Sequence, residues 1–505
     1  MKLRCLAACL LASITSSAFA LDGQVRIHDP STVVICDGKY YTFGTGSGGL
    51  ISDDGWTWRG GAVRTGGGVA PDVIHIGDRY YVTYATAGIH VMWTKTLDPN
   101  SPDFGYHDDT VVATSELPDC SAIDPSLLLD PNDGRLWLTY GTYIGYIRLV
   151  ELDPKTGKRI DPNAKPLNIA VNCEASQMIY HDGWYYLLAN HGSCCQGANS
   201  GYNIRVGRSK KVTGPFIDHM GIDMIQGGGK LFCSSSARWI GPGHFGLLDC
   251  GDGVQKFSCH YEADLDRGGA SVLDIRPLLW KDGWPVAGEN LKEGMYQIES
   301  VRTGTALELA VEGVPVGGPR IRGGGRGRVG ADAAAATAPD ASGTPGRGVA
   351  GRGAGGPGGG GMFAGTGGVI PQQDVGQVSK NWPVNTIDVR MANYMSQAQQ
   401  KWTISPVPNA GGYPGSPYFK ITIAGTDRAL VATADSELAT VSAFTGGPEQ
   451  LWRVDQLSDG TCRIMPKEIP DSRQVLALSA VGSSSVTLAK FDPASNKQKW
   501  CLKAP

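Results

Sequence analysis

The chain has 505 residues, of which 18% are charged and 41% hydrophobic, and its formal net charge is −3. This is the composition of an ordinary globular protein with enough chain for several hydrophobic cores. It gives no reason to expect nucleic acid as a partner. No stretch beyond the N-terminus is apolar and long enough to cross a bilayer, so we expect no membrane association. The protein is also expected to be a monomer.

The N-terminus has the features of a secretory signal. Lys2 and Arg4 precede an apolar run over residues 6–14, and Ala18-Phe19-Ala20 supplies small residues for cleavage. We therefore expect residues 1–20 to be removed and the mature protein to be secreted or periplasmic. Ten of the twelve cysteines then remain in a compartment that permits disulfides, although their pairing does not follow from the sequence.

A turn followed by an aromatic and β-branched run recurs over residues 21–290. It occurs at residues 37–45, 77–84, 133–140 and 182–188, and in a weaker form at residues 243–248. Each copy lacks helical periodicity and predicts a hairpin that leads into an inner strand. Five copies predict an all-β chain in which each copy forms one blade of a five-bladed β-propeller. A β-sandwich with generic Asp-Gly turns is the alternative.

Three carboxylates stand just ahead of predicted blade strands. Asp29 lies between a histidine and a proline, Asp124 also precedes a proline, and Glu174 precedes the fourth blade. A carboxylate held by a proline-stiffened turn is either a turn cap or a catalytic group. Three of them in register would line the central cavity. Glycoside hydrolysis needs such a set: a protonated acid, an ionised base, and a neighbour that tunes the acid.

The composition changes over residues 313–376, which are mostly Gly, Ala, Arg and Pro. Such a segment cannot bury enough apolar surface to order itself, so we expect a disordered, solvated insertion. Its Arg-Gly portions could alternatively contact RNA or an anionic glycan.

Three Gln-x-Trp triplets follow one another at intervals of about 50 residues. They are Gln400-Lys401-Trp402, Gln450-Leu451-Trp452 and Gln498-Lys499-Trp500. This pattern resembles the ricin-type β-trefoil over roughly residues 294–505, so residues 291–505 are expected to form a carbohydrate-binding-like domain. The resemblance implies that the three tryptophans lie in the core. It also implies a sugar-binding carboxylate early in each lobe, a position that only Glu308 fills here.

From Val25 to about Gly288 the chain resembles glycoside hydrolase family 43, and within it the arabinanases. The motifs that carry this resemblance are Ala70-Pro71-Asp72-Val73, Ile123-Asp124-Pro125-Ser126, Cys173-Glu174-Ala175-Ser176, Cys194-Cys195-Gln196-Gly197, Tyr202-Asn203-Ile204-Arg205-Val206 and Gly241-Pro242-Gly243-His244. It implies that Asp29 is the general base, Glu174 the general acid, and Asp124 the group that sets the acid's proton and orientation. The family inverts configuration, so base and acid should stand roughly 6.5 to 9.5 Å apart.

The resemblance also implies the substrate and the remaining site residues. The expected substrate is arabinan of the plant cell wall, a pectin side chain with α-1,5-L-arabinofuranosyl linkages. His260 would lie beside a calcium ion, with a buried core histidine as the alternative. No organic cofactor is expected. Cys194 and Cys195 are either a vicinal disulfide or two thiols. The residues expected to contact sugar are His28, Asp72, Tyr143, Cys194 and Cys195.

Other functions stay open at this point. Within the family, a β-xylosidase or an α-L-arabinofuranosidase would use the same three carboxylates, and endo or exo action is undetermined. Fructan hydrolases of related five-bladed folds would need asparagine and arginine where His28 and Ile123 stand. A polysaccharide-binding lectin with an inert propeller is the non-enzymatic alternative.

Overall fold

The structure, a computed structural model, describes residues 21–115, 121–142, 145–311 and 379–505. The predicted signal peptide, Tyr143 and the predicted glycine-rich insertion lie outside the described residues. Within the described part, no helix has the length and apolar character needed to cross a membrane. The helices there are short 3-10 segments: Gly197–Asn199, Met224–Gln226, Leu265–Arg267, Ser379–Asn381, Ala398–Gln400, Pro448–Gln450 and Asn496–Gln498.

The first 21 strands form five separate sheets, one after another along the chain. The first contains β1 (Asp22–Gly23), β2 (Val34–Cys36), β3 (Lys39–Phe43), β4 (Gly48–Ser52) and β5 (Thr57–Val63). The second contains β6 (Val69–Ile76), β7 (Arg79–Ala85), β8 (Ile89–Thr94) and β9 (His107–Ala113). The third contains β10 (Ser126–Leu129), β11 (Leu136–Tyr140), β12 (Tyr146–Leu152) and β13 (Leu167–Val171).

The fourth and fifth sheets repeat the same antiparallel order. The fourth contains β14 (Glu174–His181), β15 (Trp184–His191), β16 (Asn203–Ser209) and β17 (Lys230–Cys233). The fifth contains β18 (Trp239–Asp249), β19 (Gln255–Asp264), β20 (Ala270–Lys281) and β21 (Trp284–Ala287). The first strands of neighbouring sheets, such as β10 and β14, contact each other around the centre.

Hydrophobic clusters between neighbouring sheets close them into a ring. In the described residues each of five clusters contains side chains from two adjacent sheets, and together they join every sheet to the next. Examples of such pairs are Phe43 with Val82, Tyr81 with Leu138, Trp137 with Leu187, Leu188 with Phe257, and Tyr261 with Trp58. The prediction of an all-β, five-bladed propeller is therefore confirmed.

The recurrent Asp-Gly turns lie between the innermost strand of a blade and the strand beside it, as between β2 and β3 in the first blade. Asp37 and Gly38 have φ angles of 50° and 76°, which is the left-handed pair that a tight hairpin turn requires. The aromatic run after the turn is consequently the second strand, and the expectation that it is the inner strand was wrong. The weak fifth copy at residues 243–248 was also misplaced, because it lies inside β18 and the turn of that blade is at Asp252 and Gly253.

The N-terminal segment closes the ring between the fifth and first blades. Arg26 forms a β-bridge with Val272, and the amide of Leu273 donates to the carbonyl of Val25 at 2.8 Å. Just before this segment, β1 pairs in parallel with β5 of the first blade. Asp29 therefore follows directly after the closure.

Each blade has a non-glycine residue in the left-handed region within its innermost strand or in the turn that leads into it. These residues are Asp29, Ala70, Asp124, Ala175 and His244, with φ between 47° and 55°. Such a conformation is uncommon outside glycine and clusters at functional sites. At this end of the ring the backbone of every blade thus turns in the same way.

The remaining strands form a ten-stranded sheet and two hairpins. They are β22 (Gly294–Ser300), β23 (Ala306–Leu309), β24 (Ile387–Ala392), β25 (Trp402–Pro406), β26 (Gly412–Tyr413), β27 (Ser416–Pro417), β28 (Phe419–Ile423), β29 (Ala429–Ala432), β30 (Leu438–Val441), β31 (Trp452–Gln456), β32 (Cys462–Pro466), β33 (Ala477–Val481), β34 (Ser485–Ala489) and β35 (Trp500–Lys503). The boundary expected near residue 290 falls between β21 and β22.

The three Gln-x-Trp tryptophans have equivalent surroundings. Each indole is completely buried, and each indole N–H donates to the carbonyl of a leucine in a short apolar strand or next to one. The three bonds join Trp402 to Leu307 (2.8 Å), Trp452 to Leu430 (3.1 Å) and Trp500 to Leu478 (2.9 Å). The same contact thus occurs three times in this half of the chain.

This C-terminal region packs directly on the propeller. The hairpin β26–β27 lies against the first blade, where the amide of Gly412 donates to Asp54 at 2.9 Å. At the fifth blade, Ser458 accepts from the amide of Trp280 and donates to the carbonyl of Gly253, both at 2.8 Å. Lys256 of the fifth blade is buried near Asp455. The two halves are therefore in close contact and not merely tethered.

Candidate active site

A cavity of about 400 Å³ opens at the end of the ring where the inner strands begin. Its volume is within the range of small-ligand sites. The three carboxylates predicted to be catalytic line it together with His28, Cys194 and Cys195. The complete lining is His28, Asp29, Val69, Ile123, Asp124, Glu174, Cys194, Cys195, Tyr202 and His244.

Asp29 is buried among hydrogen-bond donors. Its amide donates to Nδ1 of His260 at 2.8 Å, and the hydroxyl of Thr45 donates to its carboxylate. His28 Nδ1 lies 2.9 Å from one carboxylate oxygen, and His244 Nδ1 lies 3.2 Å from the other. Burial alone would raise the pKa of Asp29, but these histidines outweigh it and lower that pKa. Asp29 is therefore an ionised acceptor.

His28 bridges two carboxylates. Its Nε2 lies 3.3 Å from Glu262 Oε1, on the side opposite Asp29. Burial opposes the charged ring, but the hydrogen bonds and charges of the two carboxylates raise the pKa of His28 to about 10. At neutral pH His28 is thus a cation beside the predicted base.

Glu174 has the opposite electrostatic environment. It is the first residue of β14, and the hydroxyl of Tyr202 donates to its carboxylate. Burial raises the pKa of Glu174, the charges of Asp29 and Glu262 raise it further, and the Tyr202 hydrogen bond only partly offsets them. Its protonated form is consequently favoured relative to an exposed glutamate.

Asp124 connects the other two carboxylates. Its Oδ2 accepts from the amide of Ala175 at 3.1 Å, and its Oδ1 lies 4.0 Å from His244 Nε2. Burial, followed by the charges of Asp29 and Glu174, raises the pKa of Asp124 well above its usual value. Asp124 is therefore tied to the backbone that carries Glu174 and is electrostatically coupled to both partners.

Three residues of this site had no role assigned from the sequence: Tyr202, His244 and Glu262. The sequence contained signals that could have identified all three. Tyr202 and His244 belong to motifs that carried the family resemblance. Glu262 lies two residues after His260 on β19, so both side chains are on one face of that strand.

Asp72 does not line the cavity. It is fully buried, and its two carboxylate oxygens accept from the amides of Thr32 (3.0 Å) and Leu127 (2.9 Å). Those amides belong to the first and third blades, so Asp72 of the second blade connects its two neighbours. The carboxylate of Asp72 thus contributes to the packing between blades, away from the cavity in which sugar contact was expected. Tyr143, also expected to contact sugar, lies outside the described residues.

Cys194 and Cys195 form a vicinal disulfide at the wall of the cavity. Of the two alternatives open from the sequence, the structure thus has the disulfide. The other described cysteines are unpaired: Cys36, Cys173, Cys233, Cys250, Cys259, Cys462 and Cys501.

His260 does not fit the role of a direct metal ligand in this geometry. Its Nδ1 accepts the amide proton of Asp29, and burial lowers the pKa of His260 to about 3, so the ring is neutral. A neutral ring whose Nδ1 is an acceptor carries its proton on Nε2, which has no lone pair to offer. Nε2 faces Glu262 at 3.6 Å. The calcium ion expected beside His260 stays a prediction.

Comparisons with known proteins identify the family of this chain. The model of glycosyl hydrolases family 43 matches residues 26–285. The chain is 31% identical over 323 residues to an extracellular exo-α-(1→5)-L-arabinofuranosidase of Cellvibrio japonicus, covering 55% of this chain and 91% of that protein. It is 31% identical over 228 residues to an extracellular endo-α-(1→5)-L-arabinanase of Bacillus subtilis, covering 43% of this chain and 67% of that protein.

Among solved structures, an exo-1,5-α-L-arabinanase from a bovine ruminal metagenomic library is similar at 34% identity and a TM-score of 0.48. That match covers 54% of this chain and 100% of that one. The family match alone extends over just more than half of the present chain, including every carboxylate of the cavity. The chain belongs to glycosyl hydrolase family 43.

Proposed function

We propose that this protein is an inverting glycoside hydrolase that cleaves α-1,5-L-arabinofuranosyl linkages of arabinan. The observation that carries the proposal is that Asp29, Asp124 and Glu174 line one cavity, where histidine partners lower the pKa of Asp29 and burial raises that of Glu174. Carboxyl groups whose pKa values are pushed apart are suited to base and acid roles. The choice of arabinan rests on relatives that are named as arabinanases.

In this mechanism the two carboxyl groups act on opposite faces of the sugar. Glu174 gives its proton to the glycosidic oxygen as the bond to the anomeric carbon breaks. Asp29 takes a proton from the water that attacks that carbon. Asp124 accepts the amide proton of Ala175 and so holds the backbone next to the acid, which keeps Glu174 oriented.

The test is the turnover of Glu174→Gln and Asp29→Asn on debranched linear arabinan. Each variant removes a proton-transfer role, so turnover should fall by roughly a hundredfold to ten-thousandfold while the thermal unfolding midpoint stays near that of the wild type. Asp182→Asn, an exposed carboxylate at the other end of β14, is the matched control and should remain active. Wild-type turnover in Glu174→Gln would exclude the assignment. Inulin and xylan as substrates separate the fructan and xylan alternatives.

The stereochemical outcome is a separate test. Proton NMR of the first product should show a newly released reducing end with the anomeric configuration inverted. Initial retention of configuration would mean a covalent nucleophile and would contradict the role given to Asp29.

We also propose that the described residues between 294 and 505 form a β-trefoil that braces the propeller. Three equivalent tryptophan contacts support a threefold architecture. Glu308, the candidate for sugar binding, is buried and engaged within its own lobe, accepting from Arg390 at 2.7 Å and Gln400 at 2.8 Å. Both carboxylate oxygens are thus used internally, which favours a structural role for this lobe.

Export completes the proposal. The predicted signal peptide and a plant-polysaccharide substrate both support a location outside the cytoplasm, and the relatives from Cellvibrio japonicus and Bacillus subtilis are named extracellular. Detection of a mature N-terminus near Leu21 in the secreted or periplasmic fraction would support this.

A further inference from the structure

A second groove lies at the opposite end of the propeller from the cavity. Its volume is about 440 Å³, and it runs between the fourth and fifth blades. Trp184 and Trp284 form its walls, and each directly follows an Asp-Gly turn. β14, whose first residue is Glu174, spans eight residues before the turn next to Trp184. At about 3.3 Å per residue the groove is roughly 26 Å from the acid.

Two cations in this groove are held in place by the indoles and by backbone carbonyls. The Arg208 guanidinium lies 4.4 Å from the ring centre of Trp184 and 4.5 Å from that of Trp284, and it donates to the carbonyl of Gly283 at 2.7 Å. The Lys210 ammonium lies 3.8 Å from the ring of Trp184 and donates to the carbonyl of Gly183 at 3.0 Å. Their side chains are thus ordered before any ligand arrives.

The groove is positively charged. Lys211 adds a third cation to its lining, and within the described part of the chain no acidic side chain forms an ion pair with Arg208, Lys210 or Lys211. Asp218, the carboxylate among the described lining residues, is occupied by backbone amides. It accepts from the amides of Met220 (2.8 Å), Ile222 (3.0 Å) and Gly229 (3.0 Å).

We propose that this groove binds a carboxylate-bearing polysaccharide, that is, a chain of uronic acid residues. Preordered guanidinium and ammonium groups match carboxylates that recur along such a chain. Pro215 and Ile217, which also line the groove, offer apolar surface to the sugar rings that carry the carboxylates. Because the groove is at the far end of the blades, a bound chain would leave the cavity open. If the proposed function holds, the protein would be retained on the acidic backbone of pectin while it cleaves neutral side chains.

The experiment is a binding titration of the full-length mature protein with oligogalacturonate, followed by calorimetry. The matched control ligand is the methyl-esterified oligomer, which keeps the sugar rings and loses the charge. Lys210→Glu/Lys211→Glu reverses two exposed cations of the groove, and Lys95→Glu/Lys155→Glu makes the same charge change at exposed lysines of the second and third blades. Hydrolysis of short neutral arabino-oligosaccharides is measured in parallel.

Oligogalacturonate should bind more tightly than its methyl ester, and binding should weaken as salt increases. The Lys210→Glu/Lys211→Glu variant should bind about tenfold more weakly or worse, while the Lys95→Glu/Lys155→Glu variant binds like the wild type. Hydrolysis of short substrates should be unchanged in both. Equal binding of the methyl ester, equal loss in both variants, or tighter binding of single-stranded DNA of the same charge would each overturn the proposal. Loss of hydrolysis on arabinan with binding intact would count against the catalytic proposal alone.

Discussion

At the scale of single residues, the cation His28 sets the state of the proposed base. It lies 2.9 Å from Asp29, and its charge is one reason why the pKa of Asp29 is lowered. In His28→Ala that contribution is lost, so the pKa of Asp29 should rise. Because a base must be ionised to accept a proton, the acidic limb of the kcat/KM profile should move to higher pH. His75→Ala, an exposed histidine on β6, is the control, and an unmoved acidic limb in His28→Ala would contradict this account.

Tyr202 affects the alkaline limb of the kcat/KM profile. Its hydroxyl donates to Glu174, which stabilises the ionised carboxylate and lowers its pKa relative to the value that burial alone would give. In Tyr202→Phe the pKa of Glu174 should therefore rise. Since the acid must be protonated, activity should persist to higher pH, and the alkaline limb should move upward. The kcat/KM profile of Tyr180→Phe, a tyrosine near the far end of β14, should match the wild type.

Single residues also show how much of the site could be predicted from the sequence. Asp29, Asp124 and Glu174 could be identified because an acid before a strand, in repeated register, is a local signal. Asp72 was expected to contact sugar only because its Ala-Pro-Asp motif resembles the family, yet it accepts amides from two other blades. That difference depends on contacts 40 and 55 residues away along the chain, which no local pattern contains.

At the scale of elements, the hairpin β26–β27 fixes the C-terminal region to the first blade. A Cβ added at Gly412 would lie 2.3 Å from the Trp56 side chain and 2.4 Å from the Ser416 carbonyl. Gly412→Ala should therefore displace the hairpin and lower stability by about 1–3 kcal/mol, seen as a lower thermal unfolding midpoint. Gly105→Ala, where the added Cβ meets nothing within 4 Å, should leave the midpoint unchanged.

The turns were the elements that the sequence predicted best, and the position of each strand within its blade was predicted worst. An Asp-Gly pair needs only its own two φ angles to form a hairpin, so the turns at Asp37 and Asp182 could be predicted from the sequence. Whether the strand before or after a turn is innermost depends on which neighbour it packs against. Those contacts come from the whole ring and are not contained in a local pattern. The aromatic runs were therefore wrongly assigned to the inner position.

At the scale of the whole molecule, the contact between propeller and C-terminal region predicts a division of roles. A protein ending near Gly288 keeps all proposed catalytic groups, so it should still hydrolyse short arabino-oligosaccharides. It loses the partner Asp455 and the surface that buries Lys256 and Trp56, so its thermal unfolding midpoint should fall by several degrees. A folded truncated protein without activity on short substrates would mean that the C-terminal region helps to build the cavity.

The ring closure has a consequence for the order in which the protein is made. Asp29 is synthesised among the first residues of the mature chain, but its amide partner, His260, and the strand that holds Val25 belong to the fifth blade. A ribosome must therefore finish more than two hundred further residues before the base can take its place. We expect the nascent chain to be catalytically silent until the fifth blade emerges, so hydrolytic competence would report the completion of the propeller.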